Sequence, residues 1–429
     1  MMNWILLAFV PVILGATDPT PKTLYTMTTD VFPAFCSLIR NPILGPDAGN
    51  PIYDLVYSSF SPNPRQTDPI MRVEGVTKKY LDASQMGAND ITDELSWPNE
   101  VAAVPDNIFA LPQVWWAASG FFMTGKDDGE VALMSMTDMT YGKATPVTIS
   151  SNPTGILWYY HRVEWHDMNQ DGCTDAVTAR SNGGGPAANY TQLVWFENPC
   201  STQLTPNWDV HVLTENVEDV YFRLHLMTLP SGEETTAVIS SGFYSHLLTV
   251  VWSNTNDWTD VSSIQTVVID NYGWYFDVEM VDVNMDGKLD ILTSTWSQTG
   301  LPGAVIAYEM PDGDWTTEPW TRHILQDGYK SFIMAGSGSP GTANAFWPST
   351  ASTGKPFIMV SGDDDGNAYV LTADSEDANQ WSYSQTTIFK GTGTVGGIAV
   401  GDVDGDGFME VFIPAYTMKE ITVMTYNLQ

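Results

Sequence analysis

Three segments of the chain share one spacing of oxygen-bearing side chains. They are residues 167–175, 282–290 and 402–410, and each has acidic or amide side chains at positions 1, 3, 5 and 9 and a glycine at position 6. Alternate residues of a tight loop point to one side, so the side chains at positions 1, 3 and 5 converge on one point. The backbone carbonyl of position 7 can add another oxygen. Hard oxygen ligands of this kind suit Ca²⁺.

The predicted calcium ligands occupy the same five positions of each loop, and position 7 contributes only its backbone carbonyl. In chain order they are Asp167, Asn169, Asp171, Cys173 and Asp175, then Asp282, Asn284, Asp286, Lys288 and Asp290, then Asp402, Asp404, Asp406, Phe408 and Glu410. An EF-hand would need flanking helices and an acid at position 12. Position 12 is Thr178, Thr293 or Ile413, and the flanking segments are strand-like. The sequence therefore predicts three calcium sites between β-strands.

The repeat extends well beyond the loops. Residues 192–199 correspond to residues 304–311, and a Trp-x-x-His-x-Leu segment follows each of them, beginning at Trp208 and at Trp320. Each unit is thus predicted to have four strands, with the metal loop after the first. The loops start 115 and 120 residues apart, about twice the length of a four-stranded unit. We therefore expect a unit without a metal loop between each pair.

At these loops the chain resembles the FG-GAP or VCBS repeat family, over residues 107–429. This family includes the propellers of integrin α-chains, some fungal lectins and some carbohydrate enzymes. The resemblance implies an all-β fold, namely a seven-bladed β-propeller of four-stranded antiparallel blades with calcium-binding loops in alternate blades, and six blades are the alternative. We expect residues 17–429 to form this single domain, with one blade near 107–150 that has a strand at 121–124.

Closure of the ring involves both ends of the sequence. The third repeat has a predicted third strand at 421–427, and no Trp-x-x-His-x-Leu segment follows it. Residues 22–29 alternate strand-forming side chains. The preceding Pro19 and Pro21 suit an edge position, because proline cannot donate to a ladder. We predict that residues 22–29 pair with residues 421–427 as the outer strand of the last blade.

The N-terminal segment and the net charge of the chain suggest the location and the partners of the protein. Residues 5–16 form an apolar run that is too short to cross a bilayer and is typical of a secretory signal, so we expect residues 1–16 to be a signal peptide and the protein to be secreted and extracellular. No later segment is apolar enough to insert directly into a membrane. The net charge of −34, from 51 acidic and 17 basic residues, disfavours nucleic acids as partners.

Three cysteines allow one disulfide and one free thiol. Cys173 lies after the first strand of its predicted blade and Cys200 after the third, and these two connections emerge on the same face. We therefore predict a Cys173–Cys200 disulfide, with Cys36 as the competing partner. Asn189 begins an Asn-Tyr-Thr sequon and is predicted to be glycosylated.

Aromatic and basic residues cluster where the chain enters the innermost strands of successive blades. They are Tyr160, His161, Arg162, Tyr221, Arg223, Trp274, Tyr275, Tyr329 and Lys330. In a propeller these connections surround the mouth of the central channel, on the face opposite the metal loops. Aromatic rings beside hydrogen-bonding groups would suit a sugar. Packing between the blades is the alternative role for the same residues.

The sequence favours a binding protein over an enzyme. The leading interpretation is a calcium-binding extracellular recognition module for a glycan or for an extracellular protein. One alternative is a carbohydrate-active enzyme, similar to a polysaccharide lyase or a dehydratase, in which Tyr or His removes a proton and Arg or Lys stabilises the resulting enolate. The other alternative is a structural assembly module.

Overall fold

Strand-forming residues build seven antiparallel sheets that surround one channel. The computed structural model describes residues 18–428, except 48, 153–155, 183–189, 216–220, 298–302 and 332–336. Each sheet has four strands, counting a divided innermost strand in the third as one, and adjacent sheets pack face to face. The seven-bladed propeller predicted from the sequence is confirmed. No helix in the described ranges is long and apolar enough to cross a membrane.

Blades 1 to 4 follow one another along the chain, after an N-terminal strand β1 (Lys22–Thr28). Blade 1 consists of β2 (Pro33–Arg40), β3 (Tyr53–Ser59), β4 (Ile70–Val73) and β5 (Asn89–Thr92), and blade 2 of β6 (Pro98–Ala103), β7 (Val114–Ser119), β8 (Val131–Ser135) and β9 (Val147–Thr148). Blade 3 consists of β10 (Tyr159–Tyr160), β11 (Glu164–His166), β12 (Asp175–Asn182), β13 (Tyr190–Glu197) and β14 (Asp209–Glu215). Blade 4 consists of β15 (Tyr221–Thr228), β16 (Glu234–Ser241), β17 (Leu248–Ser253) and β18 (Ile264–Asp270).

Blades 5 to 7 complete the ring. Blade 5 consists of β19 (Trp274–Val281), β20 (Asp290–Trp296), β21 (Gly303–Glu309) and β22 (Thr321–Tyr329), and blade 6 of β23 (Ala343–Phe346), β24 (Phe357–Ser361), β25 (Asn367–Ala373) and β26 (Tyr383–Lys390). Blade 7 consists of β27 (Ala399–Gly401), β28 (Glu410–Ala415), β29 (Glu420–Thr425) and β1. Short 3₁₀ helices among the described residues span Val76–Lys78, Ala83–Gln85 and Val261–Ser263. The three metal loops follow the innermost strands of blades 3, 5 and 7, which are alternate blades.

The second strand of each blade is buried on both faces, because both faces pack against other blades. In β7 all six residues are buried, and the strand accordingly shows no alternation of polar and apolar residues. The core between blades 3 and 4 joins Trp195 of β13 to Phe222 of β15 and Val251 of β17. Such strands resemble the continuous apolar runs of other sheets that are covered on both sides.

This double burial explains an error in the predicted second blade. A strand was expected at 121–124, whereas the chain forms β6 and β7 earlier and enters a loop at Gly120. Gly120 has a φ of 97°, and a Cβ there would approach the backbone of Gly129 to 2.6 Å. Phe121 belongs to the loop that follows, where its ring stacks on Trp97.

The ring closes through pairing of its two terminal segments. Strand β1 pairs antiparallel with β29, so that Lys22 lies opposite Thr425 and Thr28 opposite Glu420. The hydroxyl groups of Thr26 and Thr422 lie 2.9 Å apart. This is the pairing predicted for residues 22–29 from their alternating strand-forming side chains. The N-terminal strand covers what would otherwise be an open sheet edge in blade 7.

Removal of β1 should therefore destabilise the whole ring. We expect a chain that lacks residues 18–28 to lose about 3 kcal/mol or more of its free energy of unfolding, because β29 loses its ladder on the outer side and the seam of the ring opens. Thermal and urea unfolding would measure this loss. A chain that lacks only residues 18–20 keeps β1 and serves as the control. Equal stability of the two truncated chains would contradict closure by β1.

Candidate functional site

The innermost strands of the blades surround a cavity of about 350 Å³ in the central channel. One side of its wall carries charged groups: Glu100 from β6, Arg162 between β10 and β11, Arg223 from β15, and Asp277 and Glu279 from β19. The other side is largely apolar. It is formed by Phe35, Leu38, Phe346, Met359, Ile398 and Val400. The cavity thus combines converging charges with an apolar wall, which is typical of small-molecule sites.

The metal loops and the charged wall belong to the same repeated strands. Arg162 and Asp277 each stand five residues before the first aspartate of a metal loop. The backbone carbonyl of each accepts a hydrogen bond from a threonine hydroxyl of the adjacent strand, Thr178 in blade 3 and Thr293 in blade 5. Blades 3 and 5 therefore direct the residue that lies five positions before the metal loop into the channel in the same way.

Ion pairs hold the two arginines of the wall. Arg162 Nε lies 2.6 Å from Glu100 Oε2, and Arg223 Nη1 lies 3.0 Å from Glu164 Oε1. Burial by itself would lower the pKa of Arg162, but the carboxylates of Glu100 and Asp277 outweigh it, and the pKa is raised. Arg162 Nη1 is buried and has no hydrogen-bond partner among the described residues, so this guanidinium can still donate to a bound ligand.

The carboxyl groups of blade 5 are in a different environment. Asp277 is 1% exposed and accepts a hydrogen bond from Asn344 Nδ2 at 3.1 Å. Glu279 accepts one from the backbone N–H of Ala345 at 2.8 Å. Burial raises the pKa of both carboxyl groups, and the hydrogen bonds and arginines only partly oppose it. Glu279 therefore retains its proton to a higher pH than an ordinary glutamate.

Glu279 and Glu100 enter the cavity from different blades, blade 5 and blade 2. Burial favours the protonated form of Glu279, whereas Glu100 forms an ion pair with the Arg162 guanidinium. Two carboxyl groups in such different environments are suited to act as an acid and a base in one reaction.

Three of the nine residues predicted at the channel mouth line the cavity. They are Arg162, Tyr221 and Arg223. The Arg162 guanidinium lies 4.6 Å from the centre of the Tyr221 ring. Burial is the main cause that raises the pKa of the Tyr221 hydroxyl, and the carboxylate of Glu100 adds to it. Tyr221 therefore stays protonated and forms part of the wall.

The other six predicted residues lie elsewhere, which corrects the expectation. Tyr160, Tyr275 and Tyr329 are at most 5% exposed and pack in the cores between blades. Strand side chains alternate, so the neighbour of a channel-facing residue points into the blade interface. His161 is buried beside Tyr221 and does not line the cavity, and burial lowers its pKa to about 4. The last two lie outside the cavity: Trp274 packs in an aromatic cluster and Lys330 is exposed.

Sequence reasoning missed Glu100, Asp277, Glu279 and Asn344. A signal for two of them was present in the segment Trp-Tyr-Phe-Asp-Val-Glu-Met-Val of β19. Asp277 and Glu279 are two residues apart, so they share one face of a mostly apolar strand. Carboxyl groups are rarely buried without a partner or a function. Glu100 had no such signal, because its strand was not predicted.

The three metal loops share one backbone geometry. In each, the first aspartate accepts a hydrogen bond from the N–H of the glycine at position 6, at 2.9–3.0 Å. The acid at position 9 accepts one from the N–H of position 2. The glycines have φ values of 89–91°, a region that favours glycine. In the third loop, carboxylate oxygens of Asp402, Asp404 and Asp406 lie within 4.8 Å of one another.

The electrostatics of these loops fit a cation. Burial, with a smaller contribution from nearby loop carboxylates, raises the pKa of Asp175 to about 6 and the pKa of Asp290 and Glu410 to about 7. Like charges thus crowd each loop, and every candidate ligand atom is an oxygen. This donor set fits Ca²⁺.

The predicted disulfide connects two loops of blade 3. Cys173 and Cys200 form a disulfide with Cα atoms 5.6 Å apart, which leaves the Cys173 carbonyl free for a cation. Cys36 is a buried free thiol. Asn189 lies outside the described residues, as do residues 1–16.

Comparison with known proteins gave matches among solved structures alone. No protein-family model and no curated protein matches the chain. A protein from Thermus thermophilus, described as an oxidoreductase (glucose dehydrogenase), is 12% identical, with 77% of this chain and 97% of that chain covered and a TM-score of 0.41. The PQQ-bound aldose sugar dehydrogenase of Streptomyces coelicolor is also 12% identical, with 96% and 98% covered and a TM-score of 0.39.

These comparisons correct the expected function. The chain was expected to be a recognition module, whereas both similar structures are described as enzymes that act on sugars. At this identity the similarity shows the fold alone. An argument for a particular activity has to come from the residues of the cavity.

The raised pKa of Glu279 makes a prediction about stability. A raised carboxyl pKa means that ionisation costs stability, and this cost is absent below the ordinary glutamate pKa of about 4.3 and grows as the pH rises. We expect Glu279→Gln to raise the melting temperature at pH 7, and the gain to shrink toward pH 4. The exposed Glu233→Gln is the control and should change neither value. A gain that is independent of pH would contradict the burial argument.

Proposed function

We propose that the protein is a carbohydrate-active enzyme that hydrolyses a glycosidic bond in the channel cavity, with Glu279 as general acid and Glu100 as general base. The observation that carries this proposal is a pair of carboxyl groups from different blades that line one cavity, Glu279 with a pKa raised by burial and Glu100 in an ion pair with Arg162. Glycoside hydrolysis uses such a pair, one carboxylic acid and one carboxylate on either side of the scissile bond.

The reaction needs only water as co-reactant. Glu279 gives its proton to the glycosidic oxygen, and the bond between this oxygen and the anomeric carbon breaks. Water forms the new bond to the anomeric carbon and gives a proton to Glu100. Arg162 orients the Glu100 carboxyl group through its Nε, and its unpaired Nη1 can donate a hydrogen bond to a sugar hydroxyl. Proton exchange with solvent then restores both carboxyl groups.

Hydrolysis fits the cavity better than elimination. A lyase-like or dehydratase-like reaction would need Tyr or His as the base. The pKa of Tyr221 is raised, which opposes its ionisation, and His161 does not line the cavity. No residue of the described cavity wall is therefore a tyrosine or histidine suited to this role.

Charge favours a neutral glycan as substrate. Glu100 and Glu164 already neutralise the two arginines of the wall. The chain as a whole has a net charge of −34, which would repel a polyanionic sugar. Neutral polysaccharides and their oligosaccharides are therefore the first substrates to test.

Variants of the two carboxyl groups should differ in a diagnostic way. We expect Glu279→Gln to lower kcat about 10²- to 10⁴-fold on neutral glycans, because the leaving oxygen is no longer protonated. Aryl glycosides with acidic leaving groups need less protonation and should lose much less activity. Glu100→Gln should lose activity on both substrate types. Release of reducing ends measures the first and release of the phenol the second.

The Glu233→Gln variant provides the matched control for this assay and should keep full activity. Absence of turnover by the unmodified protein on a broad panel of neutral glycans would contradict the proposed function. Formation of an unsaturated product from uronate polymers would show elimination in place of hydrolysis.

We also propose that Ca²⁺ occupies the three loops and stabilises the fold, as expected for an FG-GAP-like or VCBS-like propeller. Support comes from the shared hydrogen bonds of the three loops and from the convergent carboxylates of the third. Bound Ca²⁺ would supply positive charge among the loop carboxylates. The loops lie on the face opposite the aromatic residues, so their role is structural.

Removal of calcium should then lower stability. A ligand that binds only the folded state adds about 2.7 kcal/mol at a hundredfold excess over its Kd. We expect a chelator at constant ionic strength to lower the melting temperature, and added Ca²⁺ to restore it. Calorimetric titration should give three sites, and Asp282→Asn should leave two. Asp138→Asn, whose side chain is exposed in blade 2, is the control and should leave three.

We propose, finally, that the protein acts in an oxidising, extracellular compartment. The disulfide between Cys173 and Cys200 supports this location, because disulfides persist in secreted proteins and are rare in the cytosol.

A further inference from the structure

Two runs of aromatic side chains begin at the cavity and cross the face of the propeller opposite the metal loops. The first begins at Phe35 of the cavity wall and continues through Phe60, Trp97, Phe121 and Phe122. Successive ring centres are 5.7, 4.5, 4.8 and 4.0 Å apart. Most of these residues lie in the connections of blades 1 and 2.

The second run begins at Tyr221 on another side of the cavity. It continues through Phe276 and Phe243 to Trp274, with ring centres 5.9, 5.9 and 5.1 Å apart. His246 packs on Trp274 at 4.5 Å. These residues belong to blades 4 and 5, three blades away from the first run, so the cavity lies between the two runs.

Packing between blades does not account for the outer members of these runs. Phe122 is 46% exposed, and Phe243 and Trp274 are partly exposed. The cavity of about 350 Å³ lies at the lower end of the size range for sites that hold one small ligand. Sugar units beyond the cleaved bond must therefore lie outside the cavity, on the face that carries the runs.

We propose that the substrate is a glycan chain that lies across both aromatic runs, so that the enzyme cleaves internal bonds of a polymer. This proposal rests on the function proposed above. Apolar faces of sugar rings pack on aromatic rings, whose polar neighbours can bind hydroxyl groups. The rings on the two sides of the cavity would bind the units before and after the scissile bond.

Substitution of one outer ring in each run tests the proposal. We expect Phe122→Ala and Trp274→Ala to lower kcat/KM on a neutral polysaccharide about five- to tenfold, and to leave kcat/KM on a short aryl glycoside unchanged. Phe122 is exposed, so its truncation does not threaten folding, and melting temperatures control for Trp274→Ala. Tyr141→Ala removes a fully exposed aromatic ring from the metal-loop face and should change neither substrate.

Binding gives a second readout that does not require turnover. Retardation of the catalytically impaired Glu279→Gln variant in gels that contain the polysaccharide should weaken when Phe122→Ala is added. Turnover with equal kcat/KM for Phe122→Ala, Trp274→Ala and Tyr141→Ala would overturn the inference and leave the proposed function intact. Loss of retardation in the Phe122→Ala and Trp274→Ala variants, without turnover of any glycan by the unmodified protein, would support glycan binding by the aromatic runs and overturn the proposed hydrolysis.

Discussion

Burial of both faces of every blade is the constraint on which this structure depends. Side chains of the middle strands pack into neighbouring blades, as Trp195 does against blade 4, so a polar group has few places to go. The channel, the connecting loops and the outer strand edges are the places where charges remain compatible with the core. Charged side chains on inner strands therefore meet in the channel, and the pairs that form there set the chemistry of the cavity.

Charged side chains are also buried at the metal-loop end of several blades. Buried carboxyl groups at the start of the second strand, such as Asp175 and Asp290, close the metal loops in blades 3 and 5. In blade 1 the comparable Asp54 is fully buried and is paired with Arg72 at 2.7 Å. In blade 6 the buried Lys355 donates to the carbonyls of residues 377 and 380. In these two blades without a metal loop, a basic side chain therefore provides the buried positive charge.

This arrangement connects the loops to the cavity. A stiff turn after an inner strand fixes the register of that strand, and the register decides which side chains face the channel. Arg162 and Asp277 occupy the same repeat position for this reason, although one is basic and the other acidic. Under the proposed calcium binding, stabilisation of the loops would preorganise the charged wall, as electrostatic catalysis requires.

The fold was largely predictable because its strongest signals are local and repeated. The loop pattern at 167–175, 282–290 and 402–410 fixed the phase of three blades, and the alternation of residues 22–29 indicated a strand for the seam. The segment 114–119 was harder to predict, because burial of both faces removes its alternation. The cavity could be predicted only in part: Arg162 and Arg223 followed from repeat position, whereas the pairing of Glu100 with Arg162 joins residues 62 positions apart on different blades.

The most direct test of the channel as the reaction centre is a crystal structure of the Glu279→Gln variant soaked with a neutral oligosaccharide. The account predicts a sugar unit in the cavity, with its glycosidic oxygen within hydrogen-bond distance of the side chain at position 279 and its anomeric carbon facing Glu100. An oligosaccharide bound outside the channel, with the cavity filled only by water, would contradict it.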